Sequence, residues 1–163
     1  MVIFTVSEKL IKSKVFFIIL AAFIMVFTTL MFVIFHDDPY TAEFEEKTYS
    51  LRVGSKKEIS GFADFFGLKI ADEPTNVKNI IIPSDFNDIY LQYNDIQKQI
   101  GLNLEKYKGQ NCTLYSYEII SPESRKGDLL NLIIQNDIVI GCDISEKEYN
   151  GKMFSPGDTD REV

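Results

Sequence analysis

Histidine occurs once and tryptophan not at all in these 163 residues, and cysteine occurs only twice. The lone histidine, His36, directly follows a long apolar run, in the tether and outside the domain that comes after it. With no second histidine, neither a Ser-His-Asp nor a Cys-His catalytic set can be assembled in that region. Zinc sites built from His and Cys fall to the same count. No stretch has the Asp-x-Asp-x-Asp-Gly spacing of a calcium loop, and "DFND" at 85–88 reads as helix-start chemistry. The absent tryptophan removes a frequent sugar-stacking side chain. Neither an internal repeat nor a low-complexity segment is present, and no cofactor or metal is expected.

What is present begins with "VFFIILAAFIMVFTTLMFVIF", residues 15–35, which holds no charged side chain. As a helix such a run spans roughly 32 Å, against a hydrocarbon core of about 30 Å. Lys9, Lys12 and Lys14 precede it, and Asp37 and Asp38 follow. The positive-inside bias therefore predicts a cytoplasmic N-terminus over 1–14, a single transmembrane helix over 15–35, and an extracytoplasmic remainder in the cell envelope. A cleaved signal peptide has a shorter apolar core of about 7–15 residues and a small-x-small cut site. The run ends instead in "FVIFHDD", and no lipobox-like cysteine follows. An uncleaved anchor is the reading adopted.

Beyond residue 35 the chain carries 14 basic and 23 acidic groups, a net charge of −9. A region so acidic is repelled by nucleic acid and by anionic lipid, so nucleic-acid binding is excluded. Residues 36–47, "HDDPYTAEFEEK", read as a polar tether. From Thr48, "TYSLRV" alternates as a strand. Ser55 and Glu58 then match a capping box, followed by Ile59, Phe62, Phe65 and Phe66 at helical spacing and by Gly67 as a stop. "LKI" and "NVKNIII" read as extended.

Ser84 is expected to cap a second helix, whose apolar stripe is Phe86, Ile89, Tyr90, Tyr93, Ile96 and Ile100. On that reading the asparagines and glutamines lie mostly on the wet face. After Gly109 the period changes to two. Residues 111–120, "DLLNLIIQ" and "IVIGCDI" read as three strands, the last two joined by a tight Asn136-Asp137 turn. "SPESRKG" is a loop, and 155–163 an acidic flexible tail. The fold class predicted over 48–154 is α+β: an antiparallel sheet, with a three-stranded C-terminal meander plus one or two N-terminal strands and two helices packed on one face. In such a meander Cys112 and Cys142 lie on the two outer strands with Cα atoms beyond the roughly 7 Å limit of a disulfide, so two free thiols are expected.

The run Ile82-Pro83, Phe86, Tyr90, Tyr93-Asn94, Gln97, Gly101, Leu104, Tyr107 and Lys108-Gly109 resembles a bacterial domain of unknown function, number forty-eight thirty. Phe62, Phe66-Gly67, Tyr115, Tyr117, Asn131-Leu132 and Ile140-Gly141 with Asp143 extend the likeness over about 50–154. Leu68 and Cys142 depart from it, standing where the family usually has tryptophan and a second glycine. The resemblance implies a membrane-anchored or exported domain of Gram-positive bacteria, and implies no activity.

Three functional readings follow, the third of them a purely structural accessory subunit of a larger membrane complex. The first is a non-enzymatic envelope module that binds a protein or peptide, using the exposed side of 84–109 and the 121–127 loop. Its candidate cluster, structural or interacting, is Tyr90, Tyr93, Asn94, Gln97, Tyr107, Tyr115 and Tyr117, with the tyrosine hydroxyls reaching Asn94, Gln97 or the backbone. The second is a small hydrolase using carboxylates such as Asp88, Asp95 or Asp143, which requires a cleft and at least one raised pKa.

Overall fold

The alternation after Gly109 becomes three long antiparallel strands, and the rest of the acidic region is arranged around them. The computed structural model of the chain describes residues 3–35, 40–147 and 151–158. It divides into two units, 1–38 and 39–163. The first contains α1, Ile3–Phe35, with every side chain from Phe16 to Leu30 exposed. Among the described residues no helix is long and apolar enough to cross a membrane. The expected span at 15–35 takes in side chains at both ends that lie outside those described.

The second unit holds a six-stranded antiparallel sheet. Its strands are β3 (Lys69–Ile70), β4 (Asn76–Ile81), β5 (Asn111–Ser121), β6 (Leu129–Gln135), β7 (Ile138–Ser145) and β8 (Met153–Phe154). The order is β3-β5-β6-β7-β8, and β4 lies beside β3 on the same edge of β5. Asn136 and Asp137 make the expected hairpin turn between β6 and β7, with φ of 51° and 61°. These left-handed values match the strand twist, and Asn and Asp tolerate them better than most residues.

From Thr41 the expected tether is folded, and its residues 36–39 lie outside those described. β1 (Thr41–Phe44) and β2 (Lys47–Ser50) form a hairpin that buries Ala42 and Tyr49 and packs Phe44 on the core. Its turn residues, Glu45 and Glu46, have φ of 48° and 63°. Glutamate gives no turn signal, and packing of the flanking Ala42, Phe44 and Tyr49 imposes the turn against local preference.

Helix α2, Lys56–Phe65, starts at Ser55, whose hydroxyl accepts from the Glu58 N–H at 3.3 Å and donates to the Glu58 carboxylate at 2.9 Å. The capping box is present, with its return arm on the hydroxyl rather than on the Ser55 N–H. Gly67 ends the helix at a φ of 70°. Tyr49 lies among Phe62, Phe65 and Phe66 at ring separations of 5.7, 4.7 and 5.3 Å, and its hydroxyl donates to the Ile100 carbonyl.

The two helices of this unit do not share a face. Tyr117 and Ile119 of β5, Leu130 and Leu132 of β6, and Val139, Cys142 and Ile144 of β7 face the core that contains α2 and the β1–β2 hairpin. Cys112 and Leu114, Ile133, and Ile140 face a second core, closed by Phe86, Tyr93, Leu104 and Tyr107. The register of β6 and β7 shifts between Ile133 and Ile134, leaving Ile140 as an extra residue, so the neighbours Ile140 and Gly141 both face the core under α3. β6 and β7 are buried on both faces, so each face needs a covering helix. Cys112 and Cys142 are free and lie in different cores.

Helix α3 spans Asp88–Lys98 and is capped by Asn87, whose side chain accepts from the Tyr90 N–H at 2.9 Å. The expected cap, Ser84, lies four residues before the first helical residue. Gly101 then turns the chain with a φ of 78°, and a Cβ there would come within 2.8 Å of the Glu43 carbonyl oxygen. The tail is also partly packed: Ser155 is buried, and Arg125 stacks on Phe154 at 4.5 Å while donating to the Asp158 carbonyl. The rest of the expected flexible tail, 159–163, lies outside the described residues.

Candidate functional site

The buried side of α3 is polar. Asn94 and Gln97 are the two fully buried residues of the helix, whereas Ile89, assigned to the apolar stripe, is 74 % exposed. Asn94 accepts from the Leu104 N–H at 2.8 Å and donates to Asn103 at 3.0 Å. Gln97 accepts from the Cys142 N–H at 2.6 Å. That N–H points off the outer edge of β7, which is otherwise closed by Leu51 and Val53 at its start and β8 at its end. A buried donor without a partner costs about 1–3 kcal/mol, so Gln97 serves as one residue of an absent neighbouring strand. Gly141 allows this approach, since a Cβ there would meet Leu104 at 3.0 Å and Gln97 at 3.3 Å.

Beneath the same helix a polar row crosses three strands. Ser116, Asn131 and Asp143 are successive register partners on β5, β6 and β7. Ser116 donates to Asn131 at 2.7 Å, and Asn131 donates to Asp143 at 2.8 Å and to Ser145 at 2.9 Å. Tyr93 completes the row from above, its hydroxyl donating to Asp143 at 2.7 Å. Burial pushes the Asp143 carboxyl above its ordinary value, partly offset by the hydrogen bonds from Asn131 and Tyr93. Burial first, then the charge of Asp143, pushes the Tyr93 hydroxyl well up. With 2 % exposure, Asp143 is out of reach of a substrate. The row joins α3 to the sheet.

The seven candidate residues therefore separate. Tyr90 meets Phe86 and Tyr93 at ring separations of 5.1 and 6.0 Å, and Tyr93 and Tyr107 pack in the core under α3. Tyr115 and Tyr117 belong to the opposite core. The Tyr93 hydroxyl goes to Asp143, not to Asn94 or Gln97. Ser116 carries no signal of its own in the sequence, whereas Asn131, a lone asparagine inside "LLNLIIQ", carries one: a polar residue in an apolar strand needs a partner. The carboxylates proposed for a hydrolase share no cleft. Asp88 and Asp95 are exposed, Asp95 beside Lys98 at 3.1 Å, while Asp143 is buried. Burial raises both thiols, Cys142 strongly, which disfavours the nucleophilic thiolate. Among the described residues no three His, Cys, Asp or Glu side chains converge on a metal position. The 121–127 loop, expected to be a binding element, is tied down through Arg125.

A surface cavity remains where β4, β5 and β6 end. It has a volume of about 430 Å³ and is lined by Asn79, Asn111, Cys112, Thr113, Ile134, Gln135 and Asn136. Four carboxamides and a hydroxyl surround it, and no charged side chain does. Such groups both donate and accept, so the cavity suits a neutral polar group. A second cavity, of about 260 Å³, lies between β2 and α2 against Tyr49, Phe62 and Phe65, with Arg52 and Glu58 also lining it.

Fold and surface together define an α+β domain built on an antiparallel sheet, with α2 on one face and α3 on the other. The chain belongs to the family described as domain of unknown function DUF4830, whose profile matches residues 62–144, from α2 to the end of β7. The match is narrower than the 50–154 of the resemblance and leaves out the β1–β2 hairpin. No match to a curated protein or to a solved structure was found.

Proposed function

We propose that this protein is a non-enzymatic module, tethered by α1 to a bacterial cell membrane, that binds a protein or peptide outside the membrane. The carboxamide-lined cavity carries the reading. Asn79, Asn111, Thr113, Gln135 and Asn136 offer donors and acceptors without charge, the pattern that pairs with peptide amides. The tether rests on the uncharged run at 15–35 and its flanking charges, and on the outward-facing Phe16–Leu30 side chains, which require an apolar surrounding.

The test is NMR of the full chain in lipid nanodiscs, titrated with pools of neutral extended peptides. Chemical-shift changes confined to the side-chain amides of Asn79, Asn111, Gln135 and Asn136, and lost in Gln135→Ala, are the expected result. No site-specific change with any pool would sink the peptide-binding reading. Recovery of the chain in the soluble fraction after carbonate extraction of bacterial membranes would sink the tether.

A further inference from the structure

β4 is an edge strand with an open outer side. All six of its residues pair with β5, from Asn76↔Ser116 to Ile81↔Asn111. The Ile82 N–H continues this ladder to the Gln110 carbonyl at 3.0 Å. Backbone groups alternate direction in an antiparallel pair, so those of Val77, Asn79 and Ile81 point away from β5. Among the described residues no hydrogen bond reaches them. Among the described residues the strand has little of the usual edge protection: no proline, no bulge, one lysine and no covering element. Val77 and Ile81 are 53 % and 64 % exposed.

We propose that β4 pairs with β4 of a second copy of this chain, antiparallel, about a two-fold axis at Asn79. That register sets Val77 against Ile81 of the partner copy on both sides of an Asn79–Asn79 pair. All three outward-facing residues are used, giving about six backbone hydrogen bonds. Lys78 then faces Ile80. A shift of two residues one way sets Lys78 against its own copy, and a shift the other way sets Val77 against Pro83, which has no N–H.

Charge selects a second copy at this edge. The region after residue 35 carries 23 acidic and 14 basic groups, yet Pro74–Ser84 contains no acidic residue and only Lys78. Two copies that repel elsewhere meet here without like charges of the prevailing sign. The interface is isologous, so it closes on itself and ends at a dimer. Asn79 also lines the carboxamide cavity, but the pairing uses its outward backbone groups and not its side chain, so it does not rest on what occupies the cavity.

Asn79→Cys in the full chain, held in nanodiscs or mild detergent, tests the register. A hydrogen-bonded antiparallel pair sets Cα atoms about 5.5 Å apart, within disulfide range. The Asn79→Cys chain is expected to cross-link at least tenfold faster under mild oxidant than Lys57→Cys, an exposed position on α2. The second variant, Asn79→Pro, removes an N–H that points away from β5 and so spares the ladder. By sedimentation it is expected to weaken dimerisation at least tenfold, with the thermal midpoint of the monomer kept. Equal cross-linking rates at 79 and 57, or a dimer that persists in Asn79→Pro, would overturn the proposal. So would a monomer at all concentrations, which would leave the edge to another strand.

Discussion

Asp143 is a carboxylate whose hydrogen-bond partners, Tyr93 and Asn131, are both neutral. Its folded-state pKa lies above the ordinary 3.8, so the native state holds the proton more tightly than the unfolded chain does. The stability that comes from this proton is fully present below pH 3.8 and is lost as pH rises through the folded-state pKa. Asp143→Asn keeps the shape and cannot ionise. Urea unfolding of the two forms across pH 4–8 is expected to show a fall in wild-type stability that the variant lacks, the curves separating at the alkaline end. Parallel curves would mean that Asp143 is ionised at no cost. This row was half legible: Asn131 and Asp143 interrupt apolar strands, but nothing local says that Ser116 and Tyr93 meet them.

At the scale of elements, most boundaries follow from local chemistry. Ser55 with Glu58, Gly67, and Asn136-Asp137 each mark a terminus or turn that the chain adopts. The β1–β2 hairpin is the exception, because Glu45 and Glu46 occupy left-handed conformations that cost L-residues about 1–2 kcal/mol each. Replacing Glu45-Glu46 by Asn-Gly, the pair that suits this turn, is therefore expected to stabilise the protein by about 1 kcal/mol in chemical denaturation. Helix α3 misled for a different reason. An amphipathic stripe is found by apolar residues, yet its inward face is Tyr93, Asn94 and Gln97, chosen for hydrogen bonds to Asp143, Leu104 and Cys142. Capping moved as well, since Ser84 and Asn87 are both good N-caps and only packing selects between them.

For the whole molecule, the hairpin that starts at Thr41, ahead of the expected domain start at 48, packs on the core of the sheet. A fragment 48–154 loses Ala42 and Phe44 from one core and Ser155 and Arg125's contact with Asp158 from the other end. It is expected to unfold at least about 3 kcal/mol more easily than fragment 39–163, the scale of one buried aromatic removed. Equal denaturation midpoints would show that the hairpin is an accessory of the sheet and not part of its core.

Sequence alone determined what depends on neighbours along the chain: the apolar run at 15–35, the charge change after it, the α+β order and the family. Periodicity, capping and composition are local quantities, and they are read without knowing what lies across the sheet. Tertiary structure decided which face each helix covers, which polar residues are buried and which edge stays open. Strands as apolar as β6 and β7 can be covered from either side, and a glutamine is a surface residue or a substitute strand depending only on whether an unpaired N–H faces it.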